Sequence, residues 1–164
     1  DLVRSRGLGD VYKRQLLNTA NIAALSTTQV SKLSTDAVAA LTSDQTKALT
    51  TAALNALTSG QLAALSTENV AALTTAQLSR LTTGQVSKLS TEQVVSLSTT
   101  QVQALSNAQV AALTSDQLNR MESSDLQALT TSQVQALTTA QISNLSSDQF
   151  TLLETADILS LIHI

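Results

Sequence analysis

Leucine returns every eighth residue along almost the whole chain, from Leu17 through Leu25 and Leu33 to Leu153, with Met121 standing in once. Lettering the octad a to h from this leucine, position b is nearly always Ser or Thr and position e is usually Gln. Position f is Val, Leu, Ile or Phe in every octad but one, where Thr46 sits, and position h is most often Ala. The consensus is Leu-Ser/Thr-Ser/Thr-x-Gln-Val/Leu-x-Ala, and seventeen full octads fit between Leu17 and Leu152.

The period of eight selects the secondary structure. In one continuous helix, eight residues at about 100° each overshoot two turns by roughly 80°, so the apolar stripe would spiral around the axis. Coiled coils need repeats of seven or eleven. In a flat strand, position f and the following position a are three apart and would face opposite sides. A short helix restarted in every octad meets all the constraints. With the b hydroxyl as N-cap, the e Gln is the third helical residue, and Ser/Thr-x-x-Gln is a capping box. The a Leu precedes the cap and f is the fourth helical residue, the two partners of a hydrophobic staple. Leu73 with Leu78 and Thr74 with Gln77 show the full start signal in one octad. Position d, in the first turn, holds Asp36, Asp44, Glu68, Glu92, Asp116 and Asp148, where the positive end of a helix favours an acid.

Helices this short do not stand alone in water, so the a and f side chains must be buried against neighbouring repeats. Each buried Leu or Val contributes about 1.5–3 kcal/mol and each cap about 0.5–2 kcal/mol. The expected fold is an all-α solenoid of very short helices, one per octad, with a thin Leu/Val/Ala interior. Asp44, Glu68, Glu92 and Asp116 recur every 24 residues, which points to three octads per coil and would set the four acids along one edge. A β-solenoid, favoured by the Thr and Val content, is the alternative.

The two ends break the pattern. Residues 1–15 read DLVRSRGLGDVYKRQ and residues 159–164 read LSLIHI. Asp10–Gln15 is the translation of GAT GTG TAT AAG AGA CAG, a transposon end used in short-read library preparation. Leu159–Ile164 is the translation of its reverse complement, CTG TCT CTT ATA CAC ATC. Both ends therefore read as translated adapter, leaving 16–158 as an octapeptide-repeat fragment. The only His (His163) and only Tyr (Tyr12) fall in those ends. Residues 16–158 carry five basic and ten acidic side chains, a net charge of −5, and one aromatic residue, Phe150.

Composition excludes several classes of chemistry. There is no Cys and no Pro, hence no disulfide framework and no Cys-based zinc site. No apolar run approaches the roughly 18 residues of a membrane helix, and the negative charge argues against a nucleic-acid partner. Nucleophilic catalysis needs a base beside the hydroxyl, and the repeat region has neither His nor Cys, so its many Ser and Thr are read as caps. Glu122 and Asp125, in the octad that starts with Met121, form the one candidate acidic or cation-binding patch; the plainer reading makes Asp125 the box partner in place of Gln. Gly60 and Gly84 both occupy position d without a phosphate-loop pattern. Thr46 beside Lys47 reads as a tolerated defect in the f row, and Phe150 as core. No catalytic, cofactor-binding or metal-ligating residue is assigned, and no cofactor is expected.

The octad, as in LTTGQVSKLSTEQVVSLSTTQVQAL at 81–105, resembles the Leu-Ser/Thr-x-x-Gln-Val octapeptide arrays of large bacterial surface or secreted proteins of adhesin type. That resemblance covers 17–158. It implies a non-catalytic extracellular or cell-surface spacer or stalk whose partners are other domains of its parent chain. A module whose solenoid face binds protein or glycan is the second expectation. The outward positions c, d and g, mostly Ala, Ser, Thr, Gln and Asn, favour the spacer.

Overall fold

In the computed structural model, residues 18–153 are described, and they form seventeen short helices in series, α1 (Thr19–Ala23) to α17 (Ser147–Leu152). Each octad yields one helix of four to six residues. Among the described residues there is no strand, so the all-α solenoid holds and the β-solenoid alternative falls.

Each helix starts directly after a b residue held in extended geometry. Ser106, for example, holds φ −70 and ψ 157, and its hydroxyl accepts from the Gln109 backbone N–H while the Gln109 side chain accepts from the Ser106 N–H. The same reciprocal pair forms wherever position e is Gln, from Ser26 with Gln29 to Ser146 with Gln149. Asn18, Ser34, Thr50 and Ser66 cap without the return bond, because position e there is Asn or Ala. Glu122 alone among these N-caps makes no side-chain cap bond. The helices end without a left-handed residue, since no described residue has positive φ. The a residue simply returns to extended backbone, as Leu113 does at φ −58 and ψ 138, and hands the chain to the next cap.

Packing follows one rule: each helix lies against the helices three before and three after it. Thus α4 (Ser43–Ala48) packs on α1 and α7 (Thr67–Ala71), and α10 (Thr91–Val95) packs on α7 and α13 (Ser115–Arg120). One coil is therefore three octads, or 24 residues, and the helices stack into three columns. The interior is lined by the a and f rows. Leu49, Leu57, Leu65, Val70, Leu78 and Val86 are all at most 3% exposed. With each such side chain contributing about 1.5–3 kcal/mol, a coil gains from its neighbours what a lone helix lacks.

Two expectations about the interior change. Ala at position h sits at the rim, half-buried at Ala56, Ala64, Ala72 and Ala104. The third buried row is position e, and it is polar: Gln61, Gln77, Gln85, Gln93, Gln101, Gln109, Gln117, Gln133 and Gln141 are at most 5% exposed.

Candidate functional site

The chemistry of this molecule is concentrated in that buried row. An octad's junction with the next leaves the a carbonyl outside any helix, with no N–H four residues on to receive it. Buried there, it would be stranded. The e Gln of the next coil supplies the donor. In nine glutamines from Gln61 to Gln141, Nε2 donates to the a carbonyl 28 residues earlier at 2.6–3.0 Å. The second amide hydrogen reaches the f carbonyl 31 residues earlier, at 2.9 Å from Gln109 to Leu78, from Gln133 to Val102 and from Gln141 to Val110. Each of these side chains thus closes its own capping box through Oε1 and ties its coil to the one below through Nε2. No buried side-chain N or O among the described residues lacks a partner.

This role was missing from the sequence reading, which used position e only for the box. A capping box accepts Glu as readily as Gln, yet position e holds twelve Gln and no Glu. That preference was the available signal, because only the amide can donate. Asn69 shows that a shorter amide also serves: its Nδ2 reaches the Leu41 carbonyl at 2.7 Å while Ser43 Oγ donates to its Oδ1 at 3.2 Å. At Gln149 the amide instead meets the Asn119 carbonyl at 2.8 Å.

The other singled-out residues fall as follows. Asp125 lies in the ladder row, 3% exposed. Burial raises its pKa above the ordinary carboxylate value, and the neighbouring charge of Glu122 raises it further. Gly60 and Gly84 are exposed, and a Cβ at either would meet nothing closer than Thr82 Oγ1 at 4.0 Å. Thr46 is fully buried in the f row, its hydroxyl donating to the Thr42 carbonyl at 3.0 Å, while Lys47 is exposed. Phe150 is not core: it is 37% exposed. Among the described residues α17 packs on α14 (Ser123–Gln127), and no described helix follows three octads on. Tyr12 and His163, with both suspected adapter ends, lie outside the described residues.

The acids at 24-residue spacing do share one column. Asp44, Glu68, Glu92 and Asp116 sit on α4, α7, α10 and α13, which stack on one another, and all four are exposed. Glu68 is held below the usual carboxylate range by its own backbone N–H and then by the Ser66 hydroxyl. Glu92 is lowered by its backbone N–H, then by Ser90 and Thr91, with a small contribution from the Arg120 charge. Thr91, Glu92, Val95 and Arg120 line an open groove of about 350 Å³. No group of three or more His, Cys, Asp or Glu among the described residues is placed to hold a metal ion. No helix there is long and apolar enough to cross a membrane.

The repeat unit itself decides the relationship. The ALTTAQ repeat matches five overlapping stretches, residues 16–51, 47–75, 70–99, 86–121 and 118–155. The chain belongs to the ALTTAQ-repeat family. Those matches run through the capped helices and the glutamine row alike. No curated protein and no solved structure matches the chain.

Proposed function

We propose that this ALTTAQ-repeat array is a non-catalytic structural region, a spacer or stalk of a larger bacterial surface or secreted protein, joined to the other domains of its parent chain. The observation that carries this reading is the division of labour within the octad. Positions a, e and f are consumed by the interior and the coil-to-coil ladder, and b by the caps. Positions c, d and g are left for the surface, where they are mostly small and polar. A repeat that spends its chemistry on joining coils builds length: each added coil presents the donors and carbonyls that the next one needs.

The test is small-angle X-ray scattering on arrays with whole 24-residue coils added or removed. A spacer lengthens by a constant increment per coil with an unchanged cross-section. A radius that grows in all directions would reject it. Within the parent protein, removing two coils should shorten reach and leave partner recognition by the flanking domains intact.

A second reading, a module that binds protein or glycan, is favoured by the groove at Thr91, Glu92, Val95 and Arg120. Loss of partner binding on Arg120→Ala and Glu92→Ala, with the array still folded, would support it over the spacer.

A further inference from the structure

One rung of the ladder carries an acid. Asp125 occupies the e position of α14, where a donor should reach the Leu97 carbonyl 28 residues earlier, and an ionised carboxylate has none to give. Its helix is also the one whose N-cap, Glu122, makes no side-chain bond. The neighbouring rungs on either side are complete: Gln117 donates to the Leu89 carbonyl at 2.7 Å and Gln133 to the Leu105 carbonyl at 2.8 Å. Asn69 supplies the geometric precedent. A side chain of the same length as Asp reaches the corresponding carbonyl at 2.7 Å. Protonated, Asp125 gains the O–H donor and becomes the functional equivalent of Asn69, with Thr99 standing 26 residues earlier where Ser43 stands for Asn69.

We propose that Asp125 is a proton-operated latch: protonated, it bonds the Leu97 carbonyl and closes the seam between α14 and α11 (Thr99–Gln103), and ionised, it leaves this seam untied between two tied neighbours. The charged surroundings are few. α11 carries no titratable side chain, α17 on the other side brings Asp148, and Glu122 adjoins on the same octad. All are carboxylates, so none stabilises the ionised form. Because the folded state raises the pKa of this group above its ordinary value of 3.8, its contribution is fully present below that value and is lost as pH rises through the raised one.

Hydrogen exchange of the full chain between about pH 3.5 and 7, corrected for intrinsic exchange at each pH, reads the latch directly. Opening of residues 122–129, measured relative to α13 and α15 (Thr131–Gln135), should fall by on the order of tenfold on acidification, the size of one hydrogen bond. Asp125→Asn should show the low opening already at pH 7 and no dependence on pH. A wild type without that relative fall, or Asp125→Asn that retains it, overturns the proposal. Glu122→Ser separates the two carboxylates: it should reduce opening at every pH and keep the acid response. Loss of the response in Glu122→Ser would make Glu122 the sensor and overturn the assignment to Asp125.

Discussion

Gln109→Glu isolates what the ladder adds to the capping box. A glutamate retains the acceptor that the Ser106 N–H needs, at 2.7 Å in the native side chain, and nearly the same volume. It loses both donors, at 2.9 Å to the Leu78 carbonyl and 2.8 Å to the Leu81 carbonyl. The Leu78 carbonyl keeps a partner, the Leu81 N–H at 3.1 Å. The Leu81 carbonyl is stranded, at about 1–3 kcal/mol. The charge then sits at a position 2% exposed, and an unpaired buried charge brings the expected total to about 3–5 kcal/mol at neutral pH. Guanidinium unfolding followed by circular dichroism measures it, since the chain has no Trp. Gln103→Glu, on the exposed g position, is the control and should change stability by less than about 0.5 kcal/mol. Burial raises the pKa of the new carboxyl, so the deficit should shrink in acid, where one O–H donor returns. A Gln109→Glu protein as stable as the Gln103→Glu control at pH 7 would refute the ladder as an energetic element.

Other outcomes follow from the same geometry. Ser106→Ala removes a cap and should lower stability by about 0.5–2 kcal/mol in the same unfolding assay. Gly60→Ala and Gly84→Ala put a methyl into open space within a helix and should each raise it by about 0.4–1 kcal/mol. Leu97→Ala, at a position 4% exposed, should cost about 2–5 kcal/mol. Glu68 and Glu92 are held below their ordinary range in the fold, so their contribution is present above the ordinary value of 4.5 and is lost as pH falls through the lowered one. The double variant Glu68→Gln, Glu92→Gln should therefore flatten the acid limb of a stability–pH curve.

Much of this architecture is legible in the octad. The period excludes one long helix, the Ser/Thr-x-x-Gln spacing sets most starts, and the a and f rows name the apolar interior. The 24-residue recurrence of Asp44, Glu68, Glu92 and Asp116 points to the coil. The buried glutamines were harder. A local motif explained them fully, and local sufficiency hides a long-range partner: the bond from Gln109 to Leu81 spans 28 residues and exists only once the coil is known. The preference for amide over acid was the residue of that second role. Phe150 failed for a related reason, since composition marks it as core while burial depends on how the helices stack, which the residue itself does not encode.

The central claim is a three-octad coil tied by glutamine amides to carbonyls of the coil below. Nuclear Overhauser contacts from the Gln109 side-chain amide protons, with Gln selectively labelled, test it most directly. The fold requires slowly exchanging amide protons in contact with Leu78 and Leu81. Contacts to Leu89 would mean two octads per coil and contacts to Leu73 four; either, or free exchange with no such contact, would contradict the account.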